Sequence, residues 1–239
     1  MSNRSNPNLI FGRNPVKEAL RANRVVKVYI TNSFNDKEIN LLFREKNPYV
    51  KIVTANELDQ KVSGVHQGIV AEVKPYEYLD FEEIIRRSRK VDIPIIVILD
   101  GINDTHNLGA ILRSCDVFNV SGVLIPKHNQ VPLNATVAKS SAGAINYVPV
   151  AQIGSMQQAI QKLKDEGFWV VSTDGSAKID YNQIKYDFPV ALVIGSEGKG
   201  VSQLIIKNSD YVVKIPQYGH VNSLNASVAA GILLARIRN

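Results

Sequence analysis

Three polar clusters in this 239-residue chain combine residue types that can bind or do chemistry, and each follows an apolar, β-rich run. The first runs from Leu99-Asp100-Gly101 through Asn107-Leu108-Gly109-Ala110-Ile111-Leu112-Arg113-Ser114. Here a buried strand ends in a turn-rich stretch and a helix opens near Asn107. In open α/β sheets ligands gather outside the carboxyl ends of strands. Asn107 therefore either caps the helix or faces a ligand. Arg113, six residues on, is either a surface ion-pair partner or a functional cation, and its neighbours Leu112, Val117 and Phe118 read as core-facing.

The second cluster, Ile194-Gly195-Ser196-Glu197-Gly198-Lys199-Gly200, places three glycines in six residues between a strand and a helix. Glycine lets backbone approach a ligand closely and permits positive φ. A tight turn explains the glycines but not Glu197 among them. The spacing is neither a dinucleotide fingerprint nor a phosphate-binding P-loop, which removes a Rossmann-type dehydrogenase. The third cluster passes from Ile215 through a Pro/Gly loop to Asn222-Ser223-Leu224-Asn225. It then enters a helix opened by the small residues Ala226, Ser227, Ala229, Ala230 and Gly231. That is more polarity than capping alone requires.

The elements that position these clusters follow from periodicity. Apolar strand-like runs recur at 95–99, 122–126, 168–173, 190–195 and 211–215, with helical segments at 107–118, 156–166, 201–207 and 223–237. Strands apolar on both faces alternating with helices predict an α/β domain over 93–239, built on a mainly parallel sheet with helices on both faces. Residues 1–74 predict a smaller α/β unit. Its first helix is expected to start at an Asn14 cap with Pro15 at the first position. Residues 75–92 read as a linker with one charged helix.

Composition bounds the rest. Hydrophobic residues are 45% and charged residues 21%, ordinary for a soluble globular protein. The one cysteine, Cys115, excludes an intrachain disulfide, and no Cys/His spacing suits zinc, so no metal is expected. No apolar run approaches the ~20 residues of a membrane helix, and the N-terminus lacks a signal-peptide core. A cytoplasmic protein with no membrane partner is expected. Net charge is +6; residues 1–90 carry 16 Lys/Arg against 11 Asp/Glu, and 91–239 carry 12 against 11. Most of the excess lies before Val28, in Arg4, Arg13, Lys17, Arg21, Arg24 and Lys27. This segment is either a footprint for phosphates or a solvated terminus.

Taken together, Asn-Leu-Gly-Ala-Ile-Leu-Arg-Ser at 107–114, Ile-Gly-Ser-Glu-Gly-Lys-Gly at 194–200 and Ser-Leu-Asn-Ala-Ser-Val-Ala-Ala-Gly-Ile-Leu-Leu at 223–234 resemble the three signature motifs of the SPOUT superfamily, in its TrmH-like branch of RNA ribose 2′-O-methyltransferases. The opening Ile10-Phe11-Gly12-Arg13-Asn14-Pro15-Val16-Lys17-Glu18-Ala19-Leu20, with His66-Gln67-Gly68, is similar to the 23S ribosomal RNA guanosine methyltransferase group and its small N-terminal RNA-binding domain. The resemblance implies a C-terminal trefoil knot and a homodimer whose active site draws on both subunits. It implies S-adenosylmethionine as cofactor, held around Gly195, Ile215 and Leu224. Asn107, Arg113, Glu197, Ser223 and Asn225 fall on catalytic or substrate positions, and ribosomal RNA is the implied partner. Transfer RNA, a ribosomal site linked to antibiotic resistance, and a catalytically silent assembly factor are the alternatives. Thr105 stands where the family often has proline, which predicts a looser loop before Asn107; Ala226 stands where valine is common, which predicts only altered packing.

Overall fold

The computed structural model describes residues 9–220 and 223–239. Packing divides the chain into two compact units. One comprises the described part of residues 1–77 together with 132–147; the other comprises 78–131 with 148–239.

The first unit is a mixed four-stranded sheet. Strands β1 (Leu9–Phe11), β2 (Val25–Thr31), β3 (Tyr49–Val53) and β4 (Ile69–Val73) stand in the order β1-β4-β2-β3. β4 runs antiparallel to both β1 and β2, and β3 runs parallel to β2 as an edge strand. Helices α1 (Arg13–Arg21), α2 (Lys37–Lys46) and α3 (Ala55–Lys61) connect them. α1 packs on β2 and β4, burying Val16, Ala19 and Leu20. On the other face Leu58 of α3 closes a cluster with Tyr29, Val53, Val62 and Val70.

The cap of helix α1 lies two residues before the expected one. Gly12, at φ 90°, is its N-cap and offers no side chain. The Arg13 N–H instead donates to Gln67 Oε1 at 2.9 Å, so an orphan donor is satisfied without Asn14. Pro15 still lies in the first turn, where a missing N–H costs no intrahelical bond.

Much of the basic segment before Val28 is neutralised internally. Arg13 pairs with Asp36 at 3.5 Å and Lys17 with Glu38 at 2.7 Å, while Arg21 pairs with both Glu18 and Glu38. Arg24 lies 3.7 Å over the Tyr76 ring and donates to Asn146 Oδ1 at 2.9 Å. That last contact belongs to residues 132–147, expected within the C-terminal domain but packed with the first unit. Their short helix α5 (Ala135–Ser140), capped by Asn134, contacts β1 and α1.

The second unit holds the remaining elements. In chain order they are α4 (Phe81–Ser88), β5 (Ile95–Asp100), α6 (Thr105–Val117), β6 (Gly122–Pro126), β7 (Val150–Ile153), α7 (Met156–Asp165), β8 (Trp169–Thr173), β9 (Ile179–Asp180), β10 (Val190–Gly195), α8 (Gln203–Lys207), β11 (Tyr211–Lys214) and α9 (Ala226–Arg238). Its seven strands lie in the order β7-β6-β5-β10-β8-β11-β9, and every pair is parallel. α4, α7 and α8 bury Ile84, Ile85, Ile160, Leu163 and Ile205 against one face of the sheet. On the other side α9 packs on α6 and β10. With both faces covered, Ile95, Ile96, Val97, Ile98 and Leu99 are all buried, as a central parallel strand requires. α4, expected in a linker, belongs to this unit, with Ile84 and Ile85 in its core. The guanidinium of Arg238 ties the end of α9 down by donating to the carbonyls of Phe118, Ile93 and Asn119 at 2.7, 2.9 and 2.6 Å. No helix among the described residues is long and apolar enough to cross a membrane.

Candidate active site

The three clusters singled out in the sequence all fall at carboxyl ends of strands in the second unit: after β5, after β10 and after β11. At the first, Asp104 caps α6 by accepting from the His106 N–H at 3.0 Å. Asn107 is thereby released from capping and sits one turn in, 8% exposed. Thr105 does not loosen this segment. It is the first residue of the helix, the position at which proline is also favoured, and the Asp104 cap holds it.

Asn107 uses both ends of its amide. Its Nδ2 donates to Glu197 Oε1 at 2.9 Å, and its Oδ1 accepts from Asn225 Nδ2 at 2.8 Å. Asn225 Nδ2 also donates to Glu197 Oε1, closing a triangle of three residues from three segments. The remaining Asn225 oxygen caps α9, accepting from Ser227 N at 2.9 Å, Ser227 Oγ at 2.6 Å and Val228 N at 3.3 Å. Each amide orientation is therefore set by a partner that can only donate or only accept. Asn225→Ala is expected to remove the cap, costing about 1 kcal/mol, and to free Glu197 from one donor. A drop in thermal midpoint reads the first effect; a fall in turnover beyond that of an Asn134→Ala cap variant reads the second.

Glu197 borders a cleft of about 300 Å³. Gly195, Ile215, Ser223 and Leu224 line it with Glu197, so five of the eight expected site residues share one cavity. Asn107 and Asn225 join through Glu197. The apolar part of the wall includes Ile194, Val201, Val213, Ala226 and Ala229; Ala226, expected to matter only for packing, forms part of the cleft. The loop after β10 is fastened at both ends. Gly200 N–H donates to Ser196 O at 2.9 Å, and Ser202 N–H donates to Asp100 Oδ2 at 2.9 Å.

Thr173, Asp174 and Gly175, after β8, also line the cleft and were missed. The signal was present: an Asp-Gly pair at the carboxyl end of a buried strand, which is the same rule that found the other three loops. Hydrogen bonds from the Ser176 hydroxyl and N–H, at 2.5 and 2.7 Å, hold the Asp174 carboxyl below its usual range. The cleft therefore carries a carboxylate there at neutral pH.

Arg113 stands apart. Six residues beyond Asn107 on α6, it lies about 9 Å along the axis and about 120° around it. It is exposed and forms no ion pair among the described residues. Val117, one turn on and expected in the core, is 70% exposed. Arg113 and Val117 thus mark an open face of α6, not the wall of this cleft. Among the described residues no group of three His, Cys, Asp or Glu side chains stands where it could hold a metal ion.

Comparison with known proteins places this architecture. Residues 94–235 match the SpoU rRNA Methylase family, and residues 9–79 match an RNA 2′-O ribose methyltransferase substrate-binding domain. A protein of Staphylococcus haemolyticus assigned to the TrmH family of tRNA/rRNA methyltransferases is 42% identical over 234 residues, 96% of this chain and 94% of that protein. The SpoU methyltransferase AviRb from Streptomyces viridochromogenes shares the fold with a TM-score of 0.81 at 23% identity, over 96% of this chain and 88% of its own. An AdoMet-bound rRNA methyltransferase from Sinorhizobium meliloti does so with a TM-score of 0.80 at 22% identity, over 96% and 86%. With one family model matched over residues 94–235 and the other over 9–79, the chain belongs to the SpoU family and is an RNA ribose 2′-O-methyltransferase with an N-terminal substrate-binding domain.

Proposed function

We propose that the chain transfers a methyl group from S-adenosylmethionine to the ribose 2′-hydroxyl of a guanosine in 23S ribosomal RNA, acting as a homodimer. The observation that carries the reading is the Asn107–Glu197–Asn225 triangle at the edge of a cleft whose walls include Gly195, Ile215 and Leu224. The cleft's volume, about 300 Å³, lies in the range of small-molecule sites. Its lining suits the cofactor's two halves: apolar Val213, Leu224, Ala226 and Ala229 for a purine, and the carboxylates of Glu197 and Asp174 for a cation. S-adenosylmethionine, when bound, supplies an activated methyl on a cationic sulfur.

The chain's part is orientation and proton handling. Glu197, aimed by two amides, presents a carboxylate to the hydroxyl, and Ser223 on the cleft wall steadies the ribose. A guanidinium is a planar fork of five donors with no acceptor, so Arg113 clamps the neighbouring phosphate and stabilises developing alkoxide. Its distance along α6 from the triangle favours action on the partner's cleft, and exposed Val117 and Val228 on the packed pair α6 and α9 supply an apolar dimer face. The trefoil path implied by resemblance is part of this reading, supported by the convergence of the loops after β8, β10 and β11 on one cleft.

The test is transfer of labelled methyl from S-adenosylmethionine to total RNA of cells lacking the gene, followed by mass mapping. Label on a ribose of a 23S guanosine is the expected result. Label confined to transfer RNA overturns the target; label on a base overturns the reaction.

A further inference from the structure

Two groups of cations in the first unit contrast in their partners, although Arg13 of the first group also lies 5.6 Å from the Phe34 ring centroid. Those on α1 are matched to carboxylates, as described above. In the second group Lys27, Lys61 and Lys139 lie over aromatic rings. Lys27 Nζ lies 5.1 Å from the Tyr29 ring centroid and 4.9 Å from that of Tyr49. Lys61 Nζ lies 4.5 Å from Tyr29, and Lys139 Nζ lies 4.5 Å from Phe11. Lys51 alternates with Tyr49 along β3 and stands opposite Tyr29 in register, so it shares the face. None of these four lysines forms an ion pair among the described residues.

The carboxylates on this face are few and partly occupied. Glu72 stands opposite Lys27 on β4. Glu57 closes the cap of α3, accepting from Thr54 N and Oγ1 at 2.8 and 3.0 Å, and it lies within electrostatic reach of Lys51 and Lys61 without forming an ion pair with either. A cation held over a ring keeps its charge available, whereas one in an ion pair must lose its partner to meet a phosphate. Tyr49 is 63% exposed, and β3 is an edge strand with Tyr49, Val50, Lys51 and Ile52 all open to solvent. An exposed ring flanked by lysines outside close ion pairs is the combination that holds single-stranded RNA: stacking for a base, ammonium groups for the phosphates on either side.

We propose that the β3 edge of the first unit, with Tyr49 flanked by Lys27 and Lys51 and with Lys61 beside them, is the surface that grips single-stranded RNA, in place of the basic α1 segment. The proposal rests on the RNA-methylation reading and specifies where that substrate is held.

The test measures the anisotropy of a fluorescein-labelled, mixed-sequence single-stranded RNA titrated with full-length protein across a salt series. Lys51→Ala/Lys61→Ala should weaken binding at least about tenfold and flatten the salt slope by about 1.4, at roughly 0.7 per lysine–phosphate contact. Tyr49→Ala should weaken it at least about fivefold through lost stacking and leave the slope alone. Lys17→Ala/Arg21→Ala should match wild type within about twofold, because those charges are already paired. Thermal midpoints of all variants are recorded, so that unfolding is not read as lost affinity. Wild-type affinity in the Lys51/Lys61 variant, or a loss carried by the Lys17/Arg21 variant, overturns the proposal. So does a Tyr49 variant that keeps wild-type RNA affinity. Methyl transfer is assayed separately on the same preparations: wild-type protein that binds RNA through this edge yet transfers nothing leaves the surface standing and overturns the functional reading instead.

Discussion

Gly195→Ala is expected to abolish cofactor binding and to lower kcat/KM by at least about 100-fold, the scale on which a 1 Å misplacement of a reacting group acts. A Cβ at this position would lie 2.1 Å from the carbonyl carbon of Gly200, 2.3 Å from its oxygen and 2.3 Å from the Val201 nitrogen. All three are backbone atoms, so no side chain can swing aside. The turn from Ser196 to Gly200 must move, taking with it the Gly200 N–H bond to Ser196 O and the carboxylate of Glu197. Overpacking of this kind costs about 1–3 kcal/mol of stability. Calorimetry with S-adenosylmethionine and a thermal melt read the two effects. Gly154→Ala is the control: a Cβ there meets nothing within 4 Å, and neither signal should change. Micromolar cofactor binding by the Gly195 variant would show that the turn does not form the cofactor wall.

Arg113→Ala should lower kcat by about 10²–10³-fold, the range for removing one donor to a developing oxyanion. Stability should stay within about 0.5 kcal/mol, because the side chain is exposed and unpaired among the described residues. Arg113→Lys should recover little, since a point charge does not replace a bidentate fork. The geometry on α6 makes a second outcome specific. If Arg113 serves the partner's cleft, mixing inactive Arg113→Ala with inactive Glu197→Gln should restore activity. Random exchange between two-fold dimers leaves one competent site in each heterodimer, for about a quarter of wild-type turnover. No recovery after verified subunit exchange would put Arg113 and Glu197 to work within one protomer or in separate tasks.

The site was legible in the sequence because polar residues at the carboxyl ends of buried strands have few structural reasons to be there. Asn107, Glu197 and Asn225 were visible individually. That they meet was not, since their contacts span 90, 118 and 28 residues, and periodicity carries no information at that range. The role of Asn107 as cap or ligand turned on Asp104, three residues earlier, whose side chain takes the cap. The internal pairing of the charged segment before Val28 was hidden for a related reason. Its partners Asp36 and Glu38 sit on the next helix, so the neutralisation exists only once α1 and α2 pack. Elements with weak signals were lost: β1 has three residues, and β7 has four that break strict alternation. α5 is built from Ala, Thr, Val, Ala, Lys and Ser, with β-branched residues and serine in place of strong helix formers. Its placement beside β1 is a tertiary fact with no local signature.

The triangle also sets a timetable. Asn107 leaves the ribosome 118 residues before Asn225, an interval of about 6–24 s at 5–20 residues per second. Glu197 follows Asn107 by 90 residues and can engage its Nδ2 before the interval ends, but throughout it Asn107 Oδ1 lacks its Asn225 donor and the side of α6 that α9 will cover stays open. Loops after β5, β8, β10 and β11 are all made before α9, yet only α9 brings Asn225 to the first of them. A nascent chain therefore displays a nearly complete parallel sheet with an open, adhesive flank, and this is the stage at which a holding chaperone would find it. On the function proposed for the triangle, competence to methylate arrives in a single late step, and a growing chain does not act on the RNA around it before its own synthesis has passed Asn225.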